Sequence, residues 1–122
     1  MKRDGEIPTP HKKGNDNMRI KNIDEDRILF DNGDTITFDH CADCCEWNYA
    51  DFQQIDDIAR GWKFDEKKIV FEAVDGCGFR FGNLPNKMVF VPCYSDQNGY
   101  YSSDVDIYYN NEQVLNLECE MV

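Results

Sequence analysis

The sequence predicts a mainly β fold in which antiparallel, hairpin-linked strands form a sandwich or a partly open barrel, with one short helix near residues 48–60. Three observations support this prediction. Several short segments alternate apolar and polar residues, which is the period of a strand with one buried face. Clusters of Asn, Asp and Gly separate these segments at short intervals, as tight turns do. Only one stretch has helical spacing, so the rest of the domain is predicted as seven or eight short strands joined by tight turns.

The clearest hairpin is predicted near the start of the domain. Ile28–Phe30 and Thr35–Phe38 flank the turn sequence Asp31-Asn32-Gly33-Asp34. Asn and Gly both tolerate the positive φ angles of a type I′ turn, so Asn-Gly between apolar runs is a strong hairpin signal.

Alternation is most regular in the last third of the chain. Val105 and Ile107 are predicted on one face of a strand, with Asp104 and Asp106 on the other. The strand after the Asn110-Asn111-Glu112 turn is predicted to place Leu115, Leu117, Cys119 and Met121 on one face and Asn116, Glu118 and Glu120 on the other. Pro92, inside the preceding Lys87–Tyr94 segment, favours an edge strand or a bulge because proline donates no ladder hydrogen bond.

The helix is predicted from the spacing of Phe52, Ile55 and Ile58, which places the three side chains on one helical face. Asn48 or Asp51 is suited to cap its start. A short irregular strand is the alternative interpretation of this segment.

The chain of 122 residues is long enough for one domain. Residues 1–17 are predicted to form a flexible basic tail, and residues 18–122 a single acidic β-rich domain. No apolar run approaches the roughly 18 residues of a membrane helix, and no signal peptide is recognisable. A cytoplasmic location and free thiols are therefore expected. The tail carries Lys2, Arg3, Lys12 and Lys13.

The charge of the chain is strongly negative and unevenly distributed. Asp and Glu number 24 against 13 Lys and Arg, which gives a net charge of −11. Residues 28–59 and 88–122 contain no Lys or Arg. Such a surface repels nucleic acid and anionic membranes but attracts a basic protein surface. The alternative interpretation is that the charge only keeps a small domain soluble.

A cysteine-rich corner, His40–Glu46, is the sharpest local motif. Cys41 and Cys44 have Cys-x-x-Cys spacing, and His40 and Cys45 are further possible zinc ligands. A second such pair is missing from the sequence, so these four residues are only weak metal candidates and no cofactor is expected. Buried thiols are the simpler interpretation.

Catalysis is not expected from the sequence. A cysteine nucleophile needs a depressed pKa and a nearby base, whereas the surrounding carboxylates disfavour the thiolate. No phosphate-binding loop, metalloprotease motif or hydrolase elbow is present in the sequence. Tyr100 and Tyr101 instead suggest aromatic side chains at an interface, although a cross-strand aromatic pair is the simpler interpretation.

Three segments together resemble a family of small phage and prophage domains of unknown function. They are Phe30-Asp31-Asn32-Gly33, Asp43-Cys44-Cys45-Glu46 and Asn98-Gly99-Tyr100-Tyr101-Ser102. The likeness spans Met18–Tyr109. It implies a phage or mobile-element origin and a bacterial host cytoplasm, and it supplies no activity and no catalytic residues.

The resulting hypothesis is a non-catalytic acidic inhibitor of a host nucleic-acid-handling or CRISPR-type immune protein. Carboxylates along strands would imitate a phosphate backbone in a basic groove. The alternatives are a small metal- or nucleotide-binding domain built on His40–Glu46, and a virion or assembly component. The predicted partner-binding residues are Asp51, Asp56, Asp57, Tyr100, Tyr101, Asp104, Asp106, Glu118 and Glu120.

Overall fold

The computed structural model describes residues 17–39, 47–96 and 103–121. Within these ranges the chain forms strands, two 3₁₀ turns and one helical turn. The strands are β1 Asn17–Ile23, β2 Arg27–Phe30, β3 Thr35–Asp39, β4 Trp47–Ala50, β5 Lys63–Asp65, β6 Val70–Val74, β7 Gly78–Asn83, β8 Lys87–Asp96, β9 Asp104–Tyr109, β10 Glu112–Glu118 and β11 Glu120–Met121. The 3₁₀ turns are Phe52–Ile55 and Glu66–Lys68, and the helix α1 is Asp56–Ala59.

The strands form two sheets, which confirms the predicted antiparallel β architecture. Six strands pair in the order β10-β9-β3-β2-β1-β5, and a second sheet has the order β11-β8-β7-β6 with β4 also paired to β8. All these pairs are antiparallel except β11 with β8. The first sheet curls into a half-barrel, so the fold lies between a sandwich and a partly open barrel.

The core lies between the two sheets and is rich in phenylalanine. Phe30 of β2 and Phe64 of β5 meet Phe81 of β7, with ring centroids 6.3 and 5.7 Å from that of Phe81. All three rings are buried. Edge-on and tilted contacts between such rings add to the free energy of area burial. The alternation predicted for β9 is confirmed, because Val105 and Ile107 are buried.

Two hairpin turns show where positive φ angles are needed. The β2–β3 hairpin is confirmed, but its turn is not the expected type I′. Gly33 has φ +96° and Asn32 does not have a positive φ, and the Gly33 amide donates to the Phe30 carbonyl. This is the longer loop in which a turn is closed by one left-handed glycine. The two-residue turn with both φ angles positive is instead Asn110-Asn111, between β9 and β10.

The segment predicted as a helix near 48–60 is helical only from Phe52 to Ala59. Asn48 does not cap it, because this residue lies in β4 opposite Ser95 of β8. Asp51 precedes the 3₁₀ turn but makes no side-chain capping bond. Ile58, expected on the apolar face, is 57% exposed. The pairing of β4 with β8 supplies backbone hydrogen bonds that override helical spacing.

The pairing of strand β8 is consistent with the edge position predicted from Pro92. Pro92 pairs only with Gly78 of β7, and β8 gains its further partners β4 and β11 from Cys93 onward. Pro92 lies where the pairing with β7 ends and the pairing with β4 begins, a position that tolerates the missing amide. Its carbonyl accepts a hydrogen bond from the Asp51 amide. At the end of the chain, Met121 is 49% exposed and so does not share the buried face of Leu117 and Cys119.

Tyr109 of β9 contacts the β2–β3 turn through its hydroxyl group. This contact predicts that the protein loses stability at alkaline pH. The Tyr109 hydroxyl donates to the Asp34 carboxylate. Burial, then the bond to Asp34, raises the pKa of Tyr109 well above its ordinary value. The folded state therefore keeps this proton at a pH where the unfolded chain loses it. Stability is fully present below about pH 10 and falls as the pH rises through the folded pKa.

The Tyr109→Phe variant should show a flatter decline of the free energy of unfolding above about pH 10 than the native protein. The difference in slope is at most about 1.4 kcal/mol per pH unit, reduced by solvent screening of this partly exposed ring. Urea unfolding between about pH 8 and pH 11.5 measures it. Tyr108→Phe, on the opposite face of β9, is the control. Parallel pH curves for Tyr109→Phe and the native protein would contradict the prediction.

Candidate partner-binding surface

The two stretches without basic residues come together in the fold. Strand β3, from the first stretch, pairs with β9 from the second, and Asp39 lies opposite Asp106. Strand β4 likewise pairs with the end of β8, where Asn48 lies opposite Ser95. Strands β3, β4, β9, β10 and β11 therefore form a part of the molecule without Lys or Arg.

The outer side of the half-barrel carries an array of carboxylates, which we call the acidic sheet face: Asp39, Asp104, Asp106 and Glu118. Asp39 and Asp106 are direct cross-strand neighbours, and so are Asp104 and Glu118. Carboxylates two residues apart on β9 are about 6.8 Å apart along the strand, and neighbouring strands are about 4.8 Å apart. The array is therefore dense in negative charge.

Asn116 of β10 holds two members of this face in place. Its side-chain amide donates to Asp104 at 2.9 Å and to Asp106 at 2.8 Å. One donor group shared by two carboxylates offsets part of their mutual repulsion. Their geometry is thus set before any partner arrives, which lowers the cost of ordering them on binding.

Basic residues border the face or lie elsewhere. Arg27 of β2 lies opposite Thr37 of β3, at the boundary of the acidic sheet face. The Arg27 guanidinium forms an ion pair with Asp24 at 3.5 Å. Arg80 forms an ion pair with Glu72 on the second sheet. The Lys and Arg residues of the described ranges are Arg19, Lys21, Arg27, Arg60, Lys63, Lys67, Lys68, Arg80 and Lys87.

The structure divides the predicted partner-binding residues into two groups. Asp104, Asp106 and Glu118 share the acidic sheet face. Asp51, Asp56, Asp57 and Glu120 lie instead near α1 and the second sheet. Tyr100 and Tyr101 lie outside the described residues. Within the second group, Asp56 forms an ion pair with Arg60 at 2.6 Å, which reduces its charge toward a partner.

Asp39 belongs to the site although it was not among the predicted residues. Its place in an alternating strand was readable from the sequence, since Ile36 is buried and Asp39 is exposed. The pairing of β3 with β9, about 70 residues further along the chain, was not readable. Only that pairing brings Asp39 to the two carboxylates of β9.

The described cysteines do not assemble a metal site. Cys93 and Cys119 are buried, and the hydrogen bond between them and then burial raise the pKa of Cys93 far above its ordinary value. Within residues 17–39, 47–96 and 103–121, no three His, Cys, Asp or Glu side chains are grouped so as to hold a metal ion. The weak candidates His40, Cys41, Cys44 and Cys45 lie outside those ranges.

No family model, curated protein or solved structure matches the chain in comparisons with known proteins. None of the described helices has the length and apolar character needed to cross a membrane. The charges and contacts of the site itself are therefore the evidence for its function.

Proposed function

We propose that the protein is a non-catalytic binding protein of phage or mobile-element origin that inhibits a basic host protein which handles nucleic acid, such as a CRISPR-type immune protein. The observation that carries this proposal is the pairing of the two stretches without cations into one acidic sheet face. An array of carboxylates fits a groove lined with Lys and Arg, which otherwise binds phosphates. Binding of this kind is fast and sensitive to salt.

The acidic sheet face competes with nucleic acid in this proposal, so displacement from DNA is the direct test. Bacterial host proteins retained on DNA-cellulose are washed with the purified chain at about 50 mM salt, and the released proteins are identified by mass spectrometry. We expect a small set of basic DNA-binding proteins to be released. A wash at about 500 mM salt without the chain gives the release that salt alone causes. At that salt concentration, the additional release caused by the chain should be at least tenfold smaller than at about 50 mM.

A matched pair of variants separates the acidic sheet face from net charge. Asp39→Asn, Asp104→Asn and Asp106→Asn together change the net charge from −11 to −8, and so do Asp26→Asn, Asp75→Asn and Glu112→Gln. The first triple variant should lose at least tenfold in releasing potency, and the second should lose less than about threefold. Equal losses, or no release by the native chain, would contradict the proposal. Thermal unfolding confirms that both variants are folded.

A further inference from the structure

Exposed apolar side chains gather on the second sheet, away from the acidic sheet face. Ile58 of α1 is 57% exposed and Phe90 of β8 is 41% exposed. Together with Pro92 and Tyr94 they line a groove of about 400 Å³. Large exposed apolar side chains that share one depression are typical of protein interaction sites rather than of ordinary surface.

A second depression is lined by Tyr49 and has a different chemistry. Phe38 and Tyr49 contribute aromatic rings, and Glu25, Asp51 and Asp96 contribute carboxylates, to a pocket of about 270 Å³. This volume lies just under the range of about 300–1,000 Å³ that is typical of small-molecule sites. The pocket therefore suits one long side chain better than a cofactor.

A pair of tyrosines connects the groove to the pocket, because Tyr94 lines the groove and Tyr49 lines the pocket. Tyr49 of β4 lies opposite Tyr94 of β8, and their ring centroids are 5.8 Å apart. The Gln54 amide donates to the Tyr94 hydroxyl at 3.0 Å and to Asp51 at 2.9 Å. This network joins the wall of the apolar groove to a carboxylate of the pocket, so the two depressions form one surface.

We propose that this surface binds an extended segment of a partner protein in which a bulky apolar side chain enters the groove and an arginine two residues away enters the pocket. Side chains on one face of an extended chain are about 6.8 Å apart. The long arginine side chain adds the reach that is needed to pass over the two tyrosine rings between the groove and the pocket. The guanidinium is planar, weakly hydrated and able to stack on aromatic rings between carboxylates.

Charge complementarity favours this occupant over a purely apolar one. Of the described residues that line either depression, none is Lys or Arg, and Glu25, Asp51, Asp96 and Glu120 are acidic. Burial, and then the neighbouring Asp51, Tyr94 and Asp96, raise the pKa of Tyr49. Tryptophan, tyrosine and arginine are the residue types enriched at interface hot spots, so an aromatic anchor and an arginine are suitable occupants of this surface.

The test uses two synthetic peptides and the full chain. Acetyl-Trp-Ser-Arg-amide carries both features, and acetyl-Trp-Ser-citrulline-amide replaces the guanidinium by a neutral group of the same shape. Each is titrated to about 5 mM against ¹⁵N-labelled protein, which detects a millimolar Kd. We expect amide shifts at Tyr49, Gln54 and Ile58, and an affinity at least fivefold higher for the arginine peptide. Equal affinities, or no shifts at these residues, would overturn the proposal.

Surface variants then assign each depression. The double variant Asp51→Asn with Asp96→Asn should bind the arginine peptide at least fivefold more weakly than the native chain does. Its affinity for the citrulline peptide should be unchanged. Ile58→Ser should weaken both peptides. The triple variant of the acidic sheet face should bind the arginine peptide like the native chain, so the two proposals fail independently. Loss of peptide binding in that triple variant would place the cation on the acidic sheet face and refute the proposed site.

Discussion

Phe81→Ala should lower the free energy of unfolding by about 3–5 kcal/mol, which is a large part of the 5–15 kcal/mol typical of a domain. Phe81 is fully buried and contacts four other rings. Phe30 and Phe64 belong to the half-barrel, and Phe71 and Phe79 to the second sheet. Truncation removes buried aromatic surface and leaves a cavity between the sheets. The hydrogen-bonded strands on either side cannot easily move together to fill this cavity.

Urea unfolding followed by circular dichroism measures this loss, with Phe90→Ala as the control. Phe90 lies on the neighbouring strand β8 but is 41% exposed. Its truncation should cost less than about 1 kcal/mol, because little area returns to water and little cavity forms. Similar losses for the two variants would show that the aromatic cluster does not connect the sheets as described.

The sequence was sufficient wherever the signal was local. The hairpin around Asn32-Gly33 and the alternation of Val105 and Ile107 depend on neighbours within a few residues. Their outcome in the structure follows the prediction, apart from the type of the first turn. In these segments the existence of the strands and the faces that they bury are therefore readable from the local pattern.

Non-local pairing explains the predictions that were wrong. Residues 48–50 lie at the predicted start of the helix, yet β4 gains a hydrogen-bonded partner in β8 more than 40 residues later. Asn48 is buried there, where its amide donates to the Asp104 carbonyl and its side-chain oxygen accepts from Ser95. A polar residue that looked like a helix cap is thus part of the contact between β4, β8 and β9. No window of sequence contains these partners.

The same non-local pairing produces the acidic sheet face. Net charge and the stretches without cations predicted an acidic surface, and Asp104, Asp106 and Glu118 were readable as its members. Their grouping with Asp39 depended on the strand order β10-β9-β3. The aromatic wall of Tyr49 and Tyr94 was equally beyond sequence reading, since each tyrosine alone is compatible with ordinary strand packing.

Gly82→Ala should destabilise the fold by about 3 kcal/mol or more, because two costs add at one residue. Gly82 has φ +141°, in a region that L side chains rarely adopt. A Cβ atom there would lie 2.0 Å from the Lys87 carbonyl oxygen and 3.2 Å from the Met88 Cα. These are backbone atoms of the paired strand β8, which cannot rotate away as a side chain does. The β7–β8 ladder would have to separate locally.

Gly76→Ala is the matched control, since it tests the backbone conformation without the collision. Gly76 has φ +79°, but a Cβ atom there would meet nothing within 4 Å. This substitution should cost only about 1–2 kcal/mol, which is the price of a left-handed conformation for an L residue. Urea midpoints at constant slope give both values. If the two variants lost the same free energy, the close approach of β7 and β8 at Gly82 would not be a determinant of stability, and strain in φ alone would explain both losses.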